Sequence, residues 1–182
     1  MKNFILAACS VVLLLLSACD DAHEIKWNTI DRPNYTMRIP DSMVEDNQLN
    51  DEANLQYASL ADETYVIVIE ESARDFETIF ADTSLGYQPN LLGYTQLMYD
   101  DFKETADSLL VAVSPKIVKV DGDKERYTFN GQSKFEQSEI YYIYGTIKSD
   151  SSYYQVIAWT MANKKEMNAN LLQDMVNSLT IK

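Results

Sequence analysis

Apolar and polar residues alternate along most of the chain after residue 33, and this pattern predicts a sheet-rich domain. β-Branched and aromatic residues recur in the alternating runs and favour strands. The run 64–70 has five apolar residues in succession, so we expect neighbours to cover it on both faces. Predicted strands cover residues 35–39, 55–60, 64–70, 109–113, 116–120, 125–129, 135–145 and 153–160.

Three- and four-residue spacing of apolar positions predicts helices over 91–108 and 164–178. A shorter helix is predicted to follow Ser72 as its N-cap. Asp121-Gly122 and Asn130-Gly131 are typical of hairpin turns. The fold class that follows is α+β: an antiparallel sheet of about six to seven strands with helices packed on it.

The first residues have the pattern of a secretory signal. Lys2 is followed by an apolar run from Phe4 to Leu16, too short for a bilayer span of roughly 20 residues. Leu16-Ser17-Ala18-Cys19 resembles the lipobox of bacterial lipoproteins, in which the cysteine accepts a lipid and becomes the N-terminus. The resemblance implies lipidation at Cys19, and a plain secretory signal that happens to contain a cysteine is the alternative.

A second stretch, residues 6–9, also fits the four-residue pattern. Cleavage before Cys9 would leave little apolar sequence upstream and expose the apolar run on the mature protein, so Cys19 is preferred. The expected organisation is a signal at 1–18, a lipidated N-terminus with an acidic tether at 19–33, and one domain at 34–182.

The acidic residues after Cys19 do not decide which membrane of the cell envelope carries the protein. Asp20 and Asp21 resemble an inner-membrane retention signal of enteric bacteria or a surface-export signal of Bacteroidetes-type bacteria, and a plain solvated tether is the third interpretation. The composition favours the second, and we expect an outer-membrane location in the cell envelope. Whether the domain faces the periplasm or the outside stays open.

Charge and residue counts narrow the possible functions. Removing the signal takes away Lys2 and no acid, so the net charge goes from −13 to −14, which disfavours nucleic acid as a partner. Cys9 leaves with the signal, Cys19 carries lipid, and the one histidine, His23, lies in the tether. A cysteine nucleophile, a Ser-His-Asp triad or a histidine-ligated zinc site is therefore excluded from the domain. We expect no enzyme activity, cofactor or metal.

Acidic residues crowd the segment 41–52, and Asp121 and Asp123 flank Gly122. Calcium needs six to eight oxygen ligands, but the EF-hand spacing is missing from both segments. A solvated loop is the preferred interpretation, and calcium binding at 41–52 stays open.

Tyrosines mark the candidate binding surface. Alternation places Tyr142 and Tyr144 on one face of their strand, and Tyr153 and Tyr154 lie on the predicted next strand. Tyrosine combines apolar area with a polar tip, so these four could bind a sugar or a protein. Packing in the core is the alternative.

The order of the elements is strand, hairpin, helix, long antiparallel meander and closing helix. Together with the strand Tyr-Tyr-Gln-Val-Ile-Ala-Trp-Thr at 153–160, it resembles the PsbP-like fold. That family includes extrinsic photosystem proteins and bacterial lipoproteins, and the resemblance implies an α/β/α sandwich with a binding or accessory role. We therefore expect a lipid-anchored, non-catalytic protein that serves a protein partner. The alternative is binding of a small ligand or glycan through the tyrosines.

Overall fold

The computed structural model describes residues 25–105, 108–120 and 124–182 of the chain. The predictions for the signal, Cys19, His23 and the Asp121-Gly122 turn lie outside these residues. The strands are β1 (Trp27–Asp31), β2 (Tyr35–Pro40), β3 (Val44–Glu45), β4 (Leu55–Ser59), β5 (Thr64–Ser72), β6 (Ser108–Val120), β7 (Lys124–Phe135), β8 (Ser138–Lys148), β9 (Ser152–Met161) and β10 (Thr180–Ile181).

Two antiparallel sheets contain these strands. The large sheet has seven strands in the order β3-β4-β5-β9-β8-β7-β6, and the small sheet has the order β1-β2-β10. The helices are α1 (Ala73–Phe80), α2 (Leu91–Thr105) and α3 (Lys165–Ser178), with 3-10 turns at Thr83–Leu85 and Ala162–Lys164. Among the described residues, no helix is both long enough and apolar enough to cross a bilayer.

The pairing of β5 with β9 forms the centre of the large sheet. The two strands are in register from Thr64 opposite Thr160 to Ser72 opposite Ser152. Val66 and Val68 are buried on one face of β5, while Ile67 and Ile69 are buried on the other. The prediction that this strand is covered on both faces is confirmed.

One face of the large sheet is covered by α3 and the small sheet. Leu172, Met175 and Val176 of α3 are fully buried there, together with Met37 and Ile39 of β2. Because burial of apolar area drives folding, this is the main core of the protein.

The other face is covered by α1 and α2. Phe76 of α1 packs against Tyr153 of β9, and Phe102 of α2 packs against Phe129 of β7. Helices therefore lie on both sides of the large sheet, which confirms the predicted α+β sandwich. We call the two sides the α3 face and the α1/α2 face.

Local sequence sets where the first two helices begin. Ser72 Oγ accepts a hydrogen bond from the Asp75 amide at 3.2 Å, so the predicted N-cap is confirmed. Asn90 Oδ1 accepts one from the Gly93 amide at 3.0 Å and caps α2 in the same way.

The folded part starts earlier than residue 34. Trp27–Asp31, which the sequence assigned to the tether, forms β1 and pairs with β2. Trp27 and Ile30 pack against the main core, and the Arg38 guanidinium lies 5.2 Å from the Trp27 ring. Burial of two apolar side chains explains why this polar stretch becomes a strand.

Two strand boundaries also differ from the predictions. Residues 109–113 and 116–120 belong to one strand, β6, whose register shifts between Val113 and Lys116. Asn130-Gly131 does not form a turn but lies within β7. A Cβ atom at Gly131 would overlap the Phe102 ring, so glycine serves here for close packing of α2 on the sheet. The turn instead includes Glu136, whose φ is 53°.

Gly131→Ala is expected to lower the free energy of unfolding by about 1–3 kcal/mol, because the added methyl group displaces Phe102 from the sheet. Urea unfolding of the purified domain measures the change. Gln132→Ala, on the same strand but half-exposed, is the control and should cost less. Equal stability of the two variants would contradict the close-packing role.

Arg126 of β7 ties α3 to the large sheet. It is 1% exposed, and its guanidinium donates hydrogen bonds to the Val176 and Leu179 carbonyls at the end of α3. Burial lowers the pKa of Arg126 to about 10. A cation at a helix C-terminus interacts favourably with the helix dipole, which offsets part of this desolvation.

Arg126→Met is expected to destabilise the domain by about 1–3 kcal/mol, since two buried carbonyl groups lose their donors. Lys134→Met removes an exposed cation from the same strand and should change stability by less than about 0.5 kcal/mol. Thermal and urea unfolding compare the two variants. If Arg126→Met were as stable as Lys134→Met, the arginine would not hold the helix.

Candidate binding face

The four tyrosines predicted as a binding surface do not lie on one face. Tyr142 and Tyr144 are half-buried on the α1/α2 face of β8, as alternation predicts. Tyr153 and Tyr154 are buried on β9, where Tyr153 takes the α1/α2 face and Tyr154 the α3 face. No single surface can contain all four.

The two buried tyrosines hold helices and strands together. Tyr153 stacks on Tyr94 of α2 with ring centroids 4.6 Å apart, and its hydroxyl donates to Glu77 Oε1 at 2.9 Å. Tyr154 packs edge-on against Tyr35 of β2, and its hydroxyl donates to Glu70 Oε1 at 2.8 Å. Their contacts explain their position without a ligand.

Tyr142 instead belongs to a row of aromatic rings that crosses the α1/α2 face. Strand register sets Tyr65 of β5 opposite Trp159 of β9, and Trp159 opposite Tyr142 of β8. The Tyr65 and Trp159 rings stack at 5.3 Å, and Trp159 lies 6.4 Å from Tyr142. We call these three residues the aromatic row.

Helices cover the aromatic row incompletely. All three side chains are half-buried, and Phe102 of α2 packs against Tyr142 at 5.7 Å. Among the described residues, no helix residue makes a ring contact with Tyr65 or Trp159. Part of each ring in the aromatic row therefore stays exposed to solvent on the α1/α2 face.

A cleft of about 410 Å³ adjoins the aromatic row. Tyr144 and Ile157, which pair in register two residues along from Tyr142 and Trp159 and on the same face, form part of its floor. The segment before β4 makes one wall and α2 makes the other. The lining consists of Asn50, Glu52, Ile69, Glu71, Leu97, Met98, Asp101, Tyr144, Gln155 and Ile157.

Carboxylates give the cleft a negative rim. Glu52, Glu71 and Asp101 are exposed, and the lining includes no described lysine or arginine. Glu71 accepts a hydrogen bond from the Tyr94 hydroxyl, and burial together with this carboxylate raises the pKa of Tyr94. Burial likewise raises the pKa of Tyr144, so both phenols are neutral at physiological pH.

This chemistry suits binding. The cleft offers an apolar and aromatic floor, neutral phenol and amide groups, and carboxylates that accept hydrogen bonds from hydroxyl, amide or ammonium groups. The aromatic row adds flat rings on which a sugar or a planar side chain can stack. We call the cleft and the aromatic row together the binding face.

The carboxylates of the acidic segment 41–52 contact different groups and do not converge on one point. Glu45 pairs with Arg32 at 2.8 Å, Asp46 accepts the Gln48 amide at 3.0 Å, and Glu52 lines the cleft. Within the described ranges, no group of three or more acidic, histidine or cysteine side chains is arranged to hold a metal ion.

Tyr65 and Trp159 were missing from the candidate binding surface that the sequence offered, and Asn50 and Glu52 were considered only as part of the acidic segment 41–52. Alternation already placed Tyr65 on the opposite side of its strand from Val66. The signal that was needed is the β5–β9–β8 register, which lines up Tyr65, Trp159 and Tyr142. Register between distant strands is not visible in a single sequence.

No protein-family model matches the chain, and no curated protein matches its sequence. Among solved structures, the chain is similar to cyanobacterial PsbP from Synechocystis, with a TM-score of 0.56 and 10% identity over 92% of this chain and 99% of that one. It is also similar to LpqN from Mycobacterium tuberculosis, a protein involved in cell envelope biogenesis. That match has a TM-score of 0.52 and 9% identity over 88% of this chain and 92% of LpqN. At these identities the likeness establishes the fold, and the chain has the PsbP-like fold.

Proposed function

We propose that this chain is a lipid-anchored protein of the cell envelope that binds a protein partner without catalysing a reaction. The binding face carries the proposal, because its aromatic row stays open beside an acid-rimmed cleft. Open tryptophan and tyrosine side chains are typical of the residues that contribute most to protein–protein affinity.

Lipid on Cys19 would hold the domain at a membrane, with outer-membrane attachment as the proposed location. Residues 20–26 would then separate the lipid from β1, which starts at Trp27. That short connection keeps the domain close to the membrane, so envelope proteins are the partners within reach. LpqN, which shares the fold, is named for a role in cell envelope biogenesis, and this supports an envelope role for the present chain.

The first test is chemical crosslinking on intact cells that carry a tagged full-length chain. A double variant, Glu52→Arg with Asp101→Arg, reverses charge at the rim of the cleft, where both side chains are exposed. We expect one dominant crosslinked partner, reduced at least tenfold by this variant.

Glu166→Arg with Asp174→Arg is the matched control. Both residues are exposed on α3, behind the opposite face of the sheet, and the charge changes by the same amount. The control should retain the partner. Absence of any partner, or equal loss in both double variants, would contradict partner binding through this face.

A second candidate function is glycan binding, which the parallel stacking of Tyr65 and Trp159 favours. Their planes meet at 13° with the centroids 5.3 Å apart, so the two rings stack on each other and fix each other's orientation, and Tyr65 at the end of the row would stack its other side on a sugar ring. The same carboxylates and amides that rim the cleft would accept or donate hydrogen bonds to hydroxyl groups.

Fluorescence titration tests the glycan alternative. Trp27→Phe leaves Trp159 as the tryptophan of the chain, so emission then reports on the aromatic row. Soluble envelope glycans should quench or shift this emission in a saturable way. Tyr65→Ala in the same background should weaken the response at least tenfold, and a flat response across the panel would count against glycan binding.

A further inference from the structure

The walls of the cleft carry like charges that no described cation neutralises. Glu52 lies on the segment before β4, Asp101 on the facing helix α2, and Glu71 near the end of β5. None of the ion pairs among the described residues includes one of these three. We call Glu52, Glu71 and Asp101 the rim carboxylates. Because like charges repel each other, a cation that enters between them lowers the energy of the arrangement.

The cations on neighbouring elements are directed elsewhere. Three lysines already pair with carboxylates, namely Lys103 with Asp100 at 2.6 Å, Lys148 with Glu77 at 2.6 Å, and Lys164 with Glu63 at 3.0 Å. Arg74 of α1 lines a different cavity. Alternation along β7 sets Lys134 on the other side of the sheet from Gly131, on which Phe102 packs. Exposed charges are screened beyond about 8 Å at physiological ionic strength, so the rim carboxylates set the local charge of the cleft.

The floor of the cleft combines apolar contact with a buried amide. Ile69, Met98 and Ile157 supply apolar area. Gln155 is 8% exposed, and its amide nitrogen donates to Met98 Sδ at 3.0 Å. The Tyr94 hydroxyl is the other hydrogen-bonding neighbour of this amide. A thioether sulfur is a weak acceptor, so the buried amide can still donate to a stronger acceptor such as a main-chain carbonyl.

Strand geometry relates the cleft to the aromatic row. Tyr144 and Ile157 of the floor lie two residues along from Tyr142 and Trp159, on the same face. Two residues of a strand span about 7 Å, and an extended partner segment repeats its side chains on one side at the same spacing. Residues i and i+2 of such a segment can therefore reach the cleft and the aromatic row together. A small free cation has no group for the row, so the geometry favours a protein segment.

Arginine matches this set of groups better than lysine does. Its guanidinium carries five N–H donors in a planar fork and can bond to carboxylates on both walls, whereas the lysine ammonium is a point charge with three donors. The apolar stem of arginine can lie on the floor while its head meets the rim. A guanidinium also stacks on aromatic rings, and Tyr144 supplies one in the floor.

We propose that the cleft binds an arginine side chain of the partner protein, and that a planar side chain two residues along the same segment stacks on the aromatic row. The rim carboxylates accept hydrogen bonds from the guanidinium, and Gln155 donates to a main-chain carbonyl of the segment. This assignment deepens the proposed function and rests on it, since the arginine belongs to the protein partner.

Titration with short peptides tests the assignment on the purified domain. The probe is an acetylated and amidated peptide with the sequence glycine, arginine, serine, phenylalanine, glycine. Binding is followed by Trp159 emission in the Trp27→Phe background and by NMR shifts of the Gln155 side-chain amide. We expect citrulline, the neutral isostere of arginine, to weaken binding at least tenfold. Lysine in place of arginine, or alanine in place of phenylalanine, should each weaken it at least threefold.

Three results of the titration would overturn the proposal. Equal affinity for the arginine and citrulline peptides would show that the cleft does not recognise the charge. Equal affinity for the arginine and lysine peptides would exclude recognition of the guanidinium. Equal binding of ethylguanidine alone would exclude a protein segment as the occupant.

Variants that neutralise the rim separate binding from folding. Glu52→Gln with Asp101→Asn should weaken binding of the arginine peptide at least tenfold. The variant should unfold at the same temperature as the unmodified domain or higher, because repulsion between the walls is relieved. Glu166→Gln with Asp174→Asn removes the same charge from exposed positions on α3 and should leave binding unchanged. Retained binding in the rim variant, or equal loss in both double variants, would overturn the proposal.

Failure of this proposal and failure of the proposed function give different results. A partner that crosslinks in cells and is lost when the rim charge is reversed, without preference for the arginine peptide, would overturn the arginine assignment alone. Arginine-selective binding without any crosslinked partner in cells would contradict the proposed function and support recognition of the guanidinium by the cleft.

Discussion

The β5–β9 pair is apolar on both faces, and the arrangement of the other elements follows from the need to keep both faces from water. Val66 and Val156 point to one side of this pair, while Ile67 and Ile157 point to the other. On the first side α3 and the small sheet form a closed core. On the second side α1 and α2 pack through aromatic rings. A sheet of this kind cannot be stable with one layer of helices alone.

The helices cover the α3 face of the large sheet more completely than the α1/α2 face. The binding face lies on the less covered side. Val176 and Leu179 are held close to the sheet by Arg126, which leaves little room on the α3 face. On the other face, α2 reaches Tyr142 through Phe102, and Tyr65 and Trp159 lie beyond that contact. The open area is bordered by carboxylates, so the surface combines apolar contact with negative charge.

Local patterns predicted the elements that depend on neighbouring residues. Ser72 caps α1, and the alternation at 141–144 gave the correct faces of β8. Elements that depend on distant contacts were missed: β1 forms because its apolar side chains reach the core, and Gly131 lies mid-strand because Phe102 packs on it.

In the candidate site, too, features set by neighbouring residues could be predicted, whereas features set by distant contacts could not. Tyr142 and Tyr144 were recognised as neighbours on one face because alternation is local. Tyr153 and Tyr154 were grouped with them by residue type, although burial on opposite faces separates the pair. Trp159 and Tyr65 come from strands far apart in sequence, and only their register brings the rings into contact.

Hydroxyl-radical footprinting tests most directly whether the binding face is where the chain binds. Tyr65, Tyr142 and Trp159 should be modified less on intact cells than in the purified domain. Met167, which is 76% exposed on α3, reports the opposite side and should be modified equally in both. Equal modification of the aromatic row in cells and in the purified domain would contradict the account.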